Sequence, residues 1–469
     1  MADETANRTK RDTSSSTEFS RTLTLFPLVV LGLAYMAPMT VFSTYGVAAQ
    51  ATHGMVPAAY VTALAAMLFT AYSYGRMVKV YPSAGSAYTY TQKTISPHLG
   101  FLVGWSVLMD YLFLPMINFL LAGAFLHAAF PVIPAWVWTL VFIAAITVVN
   151  VFGIRLAARL NLVLISFQFL VTIIFLSLSI RGLTQGMGAG TLFSALPFYD
   201  PDVSYSFVLA GASILCLSFL GFDAVTTLSE ETVEPKKTVP KAIFLIALIG
   251  GLLFTFVSYI TQLIYPNFTS FKVVDSAAFE IAQYIGGSLF AAIFLAGMIT
   301  SCVASGLASH ASAARLLYAM GRERVLPAKV FGFIHPRLQT PLNNVLLIGV
   351  FSLSALVMDL VTAASFVNFG ALVAFTFVNA SVIFHYYIRE RRRSMGGFIL
   401  YLLLPLIGVG FNIWLWSNLD RNSLMLGGLW VAAGLVYLLI LTKGLKKQPP
   451  QFHFEEIEEG ADHTRTQIS

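Results

Sequence analysis

Two aspartates lie where lipid would be their expected surroundings, inside long apolar stretches of the sequence. Asp223 follows Ser218 and Gly221 in the stretch 213–231 (SILCLSFLGFDAVTTLSEE), and Asp110 lies in a second stretch of the same kind. An acid costs ~2.5–3.5 kcal/mol at the centre of a lipid-inserted helix. Each carboxylate is therefore expected to face a cavity or a partner, where it could bind an organic cation or carry a proton.

The residues around Asp223 predict a broken helix. Glycine lowers the penalty for leaving helical geometry, and unwound backbone at membrane depth is tolerated only where it lines a cavity. Ser218, Phe219 and Gly221 are therefore expected to line the break and bind substrate together with Asp223. The alternative is a continuous packed helix with a small-residue contact at Gly221.

Helix geometry places Asp110 deep in the membrane. It lies about 13 residues beyond the loop at Pro97, which is ~20 Å of helix inside a ~30 Å hydrocarbon core. An acid at that depth needs a partner, and an organic cation is a suitable one. Two interpretations of Asp110 stay open. It could contact substrate or take part in gating, or it could make a structural hydrogen bond to a neighbouring helix.

The composition indicates a polytopic membrane protein. The chain has 469 residues, of which 57% are hydrophobic and 11% charged, and its mean hydropathy is +0.77. A soluble domain of ordinary size is excluded by these values. The first apolar stretch follows a polar, charged leader and is not expected to be a cleaved signal peptide. The sequence predicts twelve spans, numbered here in chain order: 25–50, 54–80, 98–130, 134–152, 158–180, 207–229, 242–265, 286–318, 341–359, 363–388, 397–417 and 423–442.

The basic residues predict the orientation. All 28 lysines and arginines except Arg181, Lys272 and Arg421 fall on one side of the membrane when the spans alternate. By the positive-inside rule this side is cytoplasmic, so both termini are expected in the cytoplasm, with the chain in the cell inner membrane. This asymmetry accounts for the net charge of +6, and no nucleic-acid partner is expected. The arginine-rich segment 389–393 is expected to anchor this face on anionic lipid.

Motifs for enzymatic or metal chemistry are missing from the sequence. It has no Walker A motif, no HExxH motif and no clustered metal ligands, so no cofactor, metal site or catalytic residue is expected. Cys216 and Cys302 both lie inside predicted spans, which does not indicate a disulfide framework.

A second break is predicted in span 1. Proline removes a helical hydrogen bond and clashes with the preceding turn, so Pro38 should interrupt the span, with Tyr35 beside it in the substrate site. A simple proline kink is the alternative. Spans 1 and 6 are each followed by four more spans, and interrupted segments in corresponding halves indicate an inverted-repeat transporter with its site between them.

The predicted architecture is all-α, with spans 1–5 and 6–10 as a 5+5 inverted repeat and spans 11 and 12 outside it. The chain is divided as follows: a disordered cytoplasmic N-terminus (1–20), the first repeat (21–182), an extracytoplasmic loop (183–206), the second repeat (207–390), spans 11 and 12 (391–443), and a disordered cytoplasmic tail (444–469).

Several segments resemble one superfamily of secondary transporters. Three on the predicted cytoplasmic side resemble the amino acid–polyamine–organocation superfamily: 81–105, which begins YPSAGSAYTY and ends GFLVGW, 230–243 (EETVEPKKTVPKAI) and 314–327 (ARLLYAMGRERVLP). Five more resemble its bacterial putrescine importers: 37–42, 111–118, 218–232, 304–311 and 368–379. The resemblance covers nearly the whole chain. It implies a LeuT-like fold and import of putrescine or a related polyamine, with a proton as the expected coupling ion.

The resemblance also bears on individual residues. Tyr111 matches a tyrosine of the importers' YLFLPMIN motif, and Asp223 lies where related exchangers carry an acid at the cytoplasmic gate. Putrescine is an alkyl chain with an ammonium at each end, and a tyrosine face attracts an ammonium by ~0.5–2 kcal/mol. Leu217 stands where arginine exchangers have a tryptophan, and Gln168 where proton-coupled amino acid members have a lysine. These departures mean that neither mechanism can be transferred unchanged.

Alternative functions stay open at this level. Within the superfamily the chain could be an amino acid permease or an amino acid/polyamine exchanger, and outside it a non-transporting receptor or a channel. His310, inside span 8, could relay protons because histidine titrates near neutral pH. A lone buried histidine is more often a packing residue.

Overall fold

The computed structural model describes residues 23–82, 87–152, 157–229, 232–322, 324–338 and 340–450. Regular structure in these ranges is helical apart from one isolated bridge between Leu23 and Thr232. The all-α prediction is confirmed. The predicted disorder of 1–20, and of 451–469 within the predicted tail 444–469, concerns residues outside the described ranges. In the described part of that tail, the backbone nitrogens of Gly444 and Lys447 donate to the carbonyl oxygens of Leu439 and Thr442.

The described residues contain the predicted number of spans. Eleven helical segments are long and apolar enough to cross a membrane, and a shorter apolar segment lies at the position of span 9. Spans 1 to 12 occupy Leu25–Ser43, Val56–Val80, Pro97–Ala129, Ala135–Phe152, Val163–Thr184, Tyr205–Thr226, Pro235–Ile264, Val274–Arg322, Leu342–Val357, Leu360–Arg389, Met395–Ser417 and Arg421–Leu441. A short helix, Ala87–Thr94, lies between spans 2 and 3.

Span 1 is broken at its predicted position. The helix Leu25–Tyr35 ends before Pro38, and helix resumes at Thr40–Ser43. Between the two pieces Ala37 has a φ of +50°, which a non-glycine residue rarely adopts. The chain therefore changes direction here instead of bending around a simple proline kink.

Span 6 is broken as well. The helix Tyr205–Leu215 tightens into a 3₁₀ turn at Cys216–Phe219, and a second 3₁₀ segment begins only at Ala224. Gly221 between them has a φ of +100°, which glycine adopts without strain. A Cβ on Gly221 would lie 2.8 Å from Cδ1 of Tyr35. The two breaks are thus in direct contact, and a continuous helix at Gly221 is excluded.

A buried amide supports the end of the first half of span 6. Nδ2 of Asn368, on span 10, donates to the carbonyl oxygens of Ser213 at 2.8 Å and of Ile214 at 3.2 Å. Unwinding leaves carbonyls near a helix end without their usual donors, and burial makes an unmet acceptor costly. Span 10 therefore stabilises the break from outside.

The spans differ in how deeply they lie in the protein. In spans 2 and 10 the most apolar window is 72% buried, against 17% in span 12. Span 2 packs along span 7, and span 3 packs against spans 8 and 10. Spans 2, 3 and 10 therefore surround the two breaks, whereas span 12 lies at the periphery. The division into two inverted repeats stays a prediction.

Candidate functional site

A cavity of about 450 Å³ lies beside the two breaks. Its walls come from spans 1, 2, 3, 5, 6, 8 and 10 and from the short helix Ala87–Thr94. Residues far apart in sequence meet here because both broken spans leave space between the continuous helices. The volume suits a small organic molecule.

Five of the eight residues predicted to bind substrate line this cavity: Tyr35, Asp110, Tyr111, Gly221 and Asp223. The other three, Pro38, Ser218 and Phe219, are buried and are not part of its wall. The two aspartates predicted at mid-depth thus share one cavity.

The buried residues of the span 6 break support its wall from behind. The hydroxyl oxygen of Ser218 lies 3.0 Å from that of Tyr60 on span 2. The ring of Phe219 packs against those of Tyr60 and Phe254, with centroids 6.4 Å and 6.0 Å away. Ser218 and Phe219 therefore hold the break against spans 2 and 7 and do not face the cavity.

Asp223 is positioned by a tyrosine that the sequence did not indicate. The hydroxyl of Tyr74, on span 2, donates to Oδ2 of Asp223 at 2.8 Å. The buried ring of Tyr74 meets Tyr90, Phe222 and Phe375 edge-on, with centroids 6.0–6.2 Å away. Because the ring is fixed on three sides, its hydroxyl holds the carboxylate in one place at the cavity wall.

Asp110 has an acceptor atom without a donor. Its Oδ1 is buried and receives no hydrogen bond from the described residues. Span 10 comes close beside it, since a Cβ on Gly370 would lie 2.6 Å from the carbonyl oxygen of Ser106 and 3.2 Å from the Asp110 nitrogen. A buried acceptor without a donor is costly in a native structure. A ligand with an N–H donor in the cavity would remove that cost.

Aromatic rings form much of the remaining wall: Tyr35, Tyr74, Tyr88, Tyr111 and Phe375. Sequence reasoning had selected only Tyr35 and Tyr111 among them. Tyr88 lies in a segment quoted only for its family resemblance, and Tyr74 lies in span 2 without a distinguishing neighbour. No periodicity would have identified either ring.

Span 8 adds a polar stripe that the sequence analysis also missed. Ser301, Ser305, Ser309 and Ser312 line the cavity, followed by Arg315. Their spacing of three or four residues places them on one face of the helix, and this pattern could have been found in the sequence. Arg315 is exposed, and among the described residues its guanidinium has no carboxylate partner. The cavity thus extends along span 8 from mid-depth toward the face predicted to be cytoplasmic.

Two further residues considered from the sequence occupy different places. Gln168 lines the cavity, and its buried Oε1 receives no hydrogen bond within the described ranges. His310 is fully buried, with Nε2 3.3 Å from the Thr147 hydroxyl oxygen, and does not line the cavity. Its position between spans 4 and 8 fits the packing alternative better than a relay.

The part of the chain that the structure describes holds no cluster of three or more histidine, cysteine, aspartate or glutamate side chains suited to a metal ion. Cys216 and Cys302 are both buried and free. In the described cavity wall the groups available to a ligand are therefore carboxylates, hydroxyls, amides, the Cys302 thiol, aromatic faces and one guanidinium.

Comparisons with known proteins agree with this architecture. The sequence profile of the amino acid permease family matches residues 28–417. The chain is 46% identical over 440 residues to the low-affinity putrescine importer PlaP of Escherichia coli strain K12, covering 94% of this chain and 97% of that protein. It is 28% identical over 454 residues to the methylthioribose transporter of Bacillus subtilis strain 168 and 26% identical over 459 residues to the branched-chain amino acid permease BcaP of that organism. Each of these two alignments covers 92% of this chain and 95% of the relative.

Proposed function

This chain belongs to the amino acid permease family, and on that premise we propose that it is a secondary active transporter that imports putrescine. It is a multi-pass membrane protein, with eleven described helices apolar and long enough to cross a bilayer. The proposal takes its substrate from the relative with 46% identity over nearly its full length, which is named as a putrescine importer.

The observation that carries the proposal is the cavity that Asp110 and Asp223 share. Two carboxylates complement the two ammonium groups of a diamine, and the tyrosine rings in the same cavity wall suit its methylenes and its charges. Asp110 contributes an acceptor oxygen that has no donor among the described residues. Asp223 contributes a carboxylate that the Tyr74 hydroxyl orients. A neutral branched-chain amino acid would leave at least one of these charges without a partner.

The same pair of acids supports coupling to protons. Two like charges in one cavity are costly unless cations or protons accompany them. A proton can neutralise one of the two acids and then cross the membrane together with an ammonium that the other acid holds. We therefore propose that protons move with the substrate, with Asp223 as the first candidate to exchange one.

The proposed orientation has both termini and the Arg315 end of the cavity in the cytoplasm. It rests on the concentration of lysines and arginines on that side. The structure described here then has its cavity extended toward the interior, as expected of a state that releases imported substrate. In a bacterial cell this corresponds to the cytoplasmic membrane.

A second candidate is an exchanger that takes amino acids as well as polyamines. Arg315 favours it, because a guanidinium in the cavity wall could pair with a carboxylate of an amino acid. The two acids favour a substrate with more positive charge than a neutral amino acid has. Ornithine or arginine would be the substrates to compare with putrescine.

Uptake of labelled putrescine tests the proposal. Cells lacking their own polyamine importers would express this chain, with unlabelled cadaverine, spermidine, ornithine, arginine and leucine as competitors. We expect saturable accumulation that cadaverine inhibits, that leucine does not, and that a protonophore abolishes. Inhibition by leucine as strong as that by cadaverine would reject the polyamine assignment. Binding without accumulation would favour a receptor, and exchange with internal ornithine the second candidate.

A further inference from the structure

A second cavity, of about 530 Å³ and widely open to the surface, lies in the loop that joins spans 10 and 11. Its wall contains three consecutive arginines, Arg391, Arg392 and Arg393, together with Ser394 and Tyr401. It shares no lining residue with the central cavity. The role proposed for the central cavity therefore does not account for it.

Aromatic rings hold two of these guanidinium groups in place. Arg392 lies over the rings of Tyr386 and Tyr401, at 5.2 Å and 5.8 Å from their centroids. Arg393 lies 5.5 Å from the centroid of Tyr387, and its Nε donates to the carbonyl oxygen of that residue at 3.4 Å. Stacking leaves the edges of a guanidinium free for hydrogen bonds in its plane. The rings thus orient the donors without neutralising them.

Positive charge exceeds negative charge around this cavity. Glu390 accepts from Nε of Arg392 at 2.6 Å and also lies 3.1 Å from Nε2 of His385. The guanidinium groups of Arg391 and Arg393 have no carboxylate partner among the described residues. Arg391 also has a φ of +52°, a strained conformation for a residue with a Cβ. The loop thus keeps two unneutralised arginines beside the one that Glu390 pairs.

Span 2 supplies a further cation at the rim of this cluster. Arg76 lies 5.4 Å from the centroid of Tyr401 and 4.9 Å from that of Tyr72. Its Nε donates to the Tyr72 hydroxyl at 3.0 Å, and that hydroxyl donates to the carbonyl oxygen of Leu400 at 2.9 Å. The basic cluster is therefore built from three spans and is not a feature of one loose loop.

The surroundings of this cavity point to lipid as the source of its ligand. Span 11 begins beside the arginines, and its first residues expose apolar side chains, with Met395 79%, Phe398 41% and Ile399 43% exposed. A Cβ on Gly396 would meet nothing within 4 Å, so the backbone is open there. Cationic donors adjacent to exposed apolar side chains match a phosphate headgroup and the acyl chains attached to it.

We propose that this cavity binds the phosphate group of an anionic phospholipid, with Arg391 and Arg393 as its principal ligands. A phosphate oxygen accepts hydrogen bonds from guanidinium edges in their own plane. The bound lipid would link spans 2, 10 and 11 at the face that carries this loop. Free phosphate has the same chemistry, and the exposed apolar side chains are the reason for choosing the lipid.

Lipid titration of the purified full-length protein in detergent tests this site. Binding of phosphatidylglycerol, phosphatidylcholine and inorganic phosphate would be measured separately by native mass spectrometry and by thermal stabilisation. We expect phosphatidylglycerol to bind more tightly than the other two. Each Arg→Gln change should weaken it about 5-fold and the pair Arg391→Gln/Arg393→Gln about 30-fold. Lysine at both positions should restore only part of the affinity, because it restores the charge but lacks the in-plane donors of a guanidinium.

A matched control removes two charges elsewhere on the same face. Lys443 and Lys446 follow span 12, are exposed and do not line this cavity. Lys443→Gln/Lys446→Gln should leave phosphatidylglycerol binding unchanged. An equal loss in this control, equal affinity for phosphatidylcholine, or a preference for inorganic phosphate would each overturn the proposal. Arg391→Gln alone serves if the double variant does not fold, since the Arg391 guanidinium has no described protein partner to lose.

Discussion

Replacing Asp110 by asparagine should weaken putrescine binding strongly while leaving the fold intact. The amide keeps the shape of the side chain but removes the charge and turns one acceptor into a donor. Oδ1 of Asp110 is buried and receives no hydrogen bond from the described residues. That oxygen therefore accepts from no protein donor in that part of the chain, and the loss should fall on the bound ammonium.

The size of the effect follows from the burial of the site. Removing one partner of a buried, hydrogen-bonded charge pair costs about 2–5 kcal/mol. Asp110 is half-buried and opens onto the cavity, so the lower end of that range applies. A loss of ~2 kcal/mol corresponds to an increase of about 30-fold in Kd. Asp110→Glu should recover part of the affinity because it restores the charge.

Equilibrium binding of labelled putrescine to purified protein is the direct assay, and gel filtration checks folding. Asp359→Asn is the matched control. Asp359 precedes span 10, away from the cavity wall, and its Oδ1 accepts from the backbone nitrogen of Thr362 at 2.7 Å. Asparagine caps a helix about as well, so this variant loses an acid without losing the cap. If Asp110→Asn binds putrescine within about twofold of the parent, Asp110 does not hold an ammonium.

Three further changes test other parts of the cavity. Asp223→Asn should insert and fold but fail to accumulate putrescine. Normal binding with loss of pH dependence would assign Asp223 to proton coupling. Normal, pH-dependent accumulation would reject both a substrate-binding and a coupling role. Tyr111→Ala should lower uptake more than surface expression, and Tyr111→Phe should be milder; equal uptake per molecule by Tyr111→Ala and the parent would remove the ring from the site. Arg315→Gln should tighten binding from the cytoplasmic side about fivefold at low salt, because one positive charge no longer repels a dication. Lys241→Gln removes an exposed charge outside the cavity wall and should leave the Kd unchanged. Equal Kd values for the Arg315 variant and the parent in inside-out vesicles would contradict the repulsion argument.

The sequence by itself determined the spans and the two breaks. In lipid every backbone polar group must be satisfied within the protein, so long apolar stretches can only be helices. Departures from helical geometry then depend on local residues. Pro38 predicted the break in span 1, and Gly221 predicted the break in span 6. The depth of Asp110 followed from helix rise and that of Asp223 from its position inside an apolar stretch, so each acid could be expected to face a cavity or a partner.

The direction of individual side chains was decided only by tertiary packing. Ser218 and Phe219 are beside Gly221 in the chain, yet the 3₁₀ turn at Cys216–Phe219 directs both toward spans 2 and 7. Tyr74 reaches Asp223 across 149 positions of sequence, and Arg315 joins the wall from span 8. Periodicity fixes which residues share a face of a helix, but not which way that face turns. That rotation depends on how non-neighbouring helices pack around two broken ones, and no local pattern in the sequence encodes it.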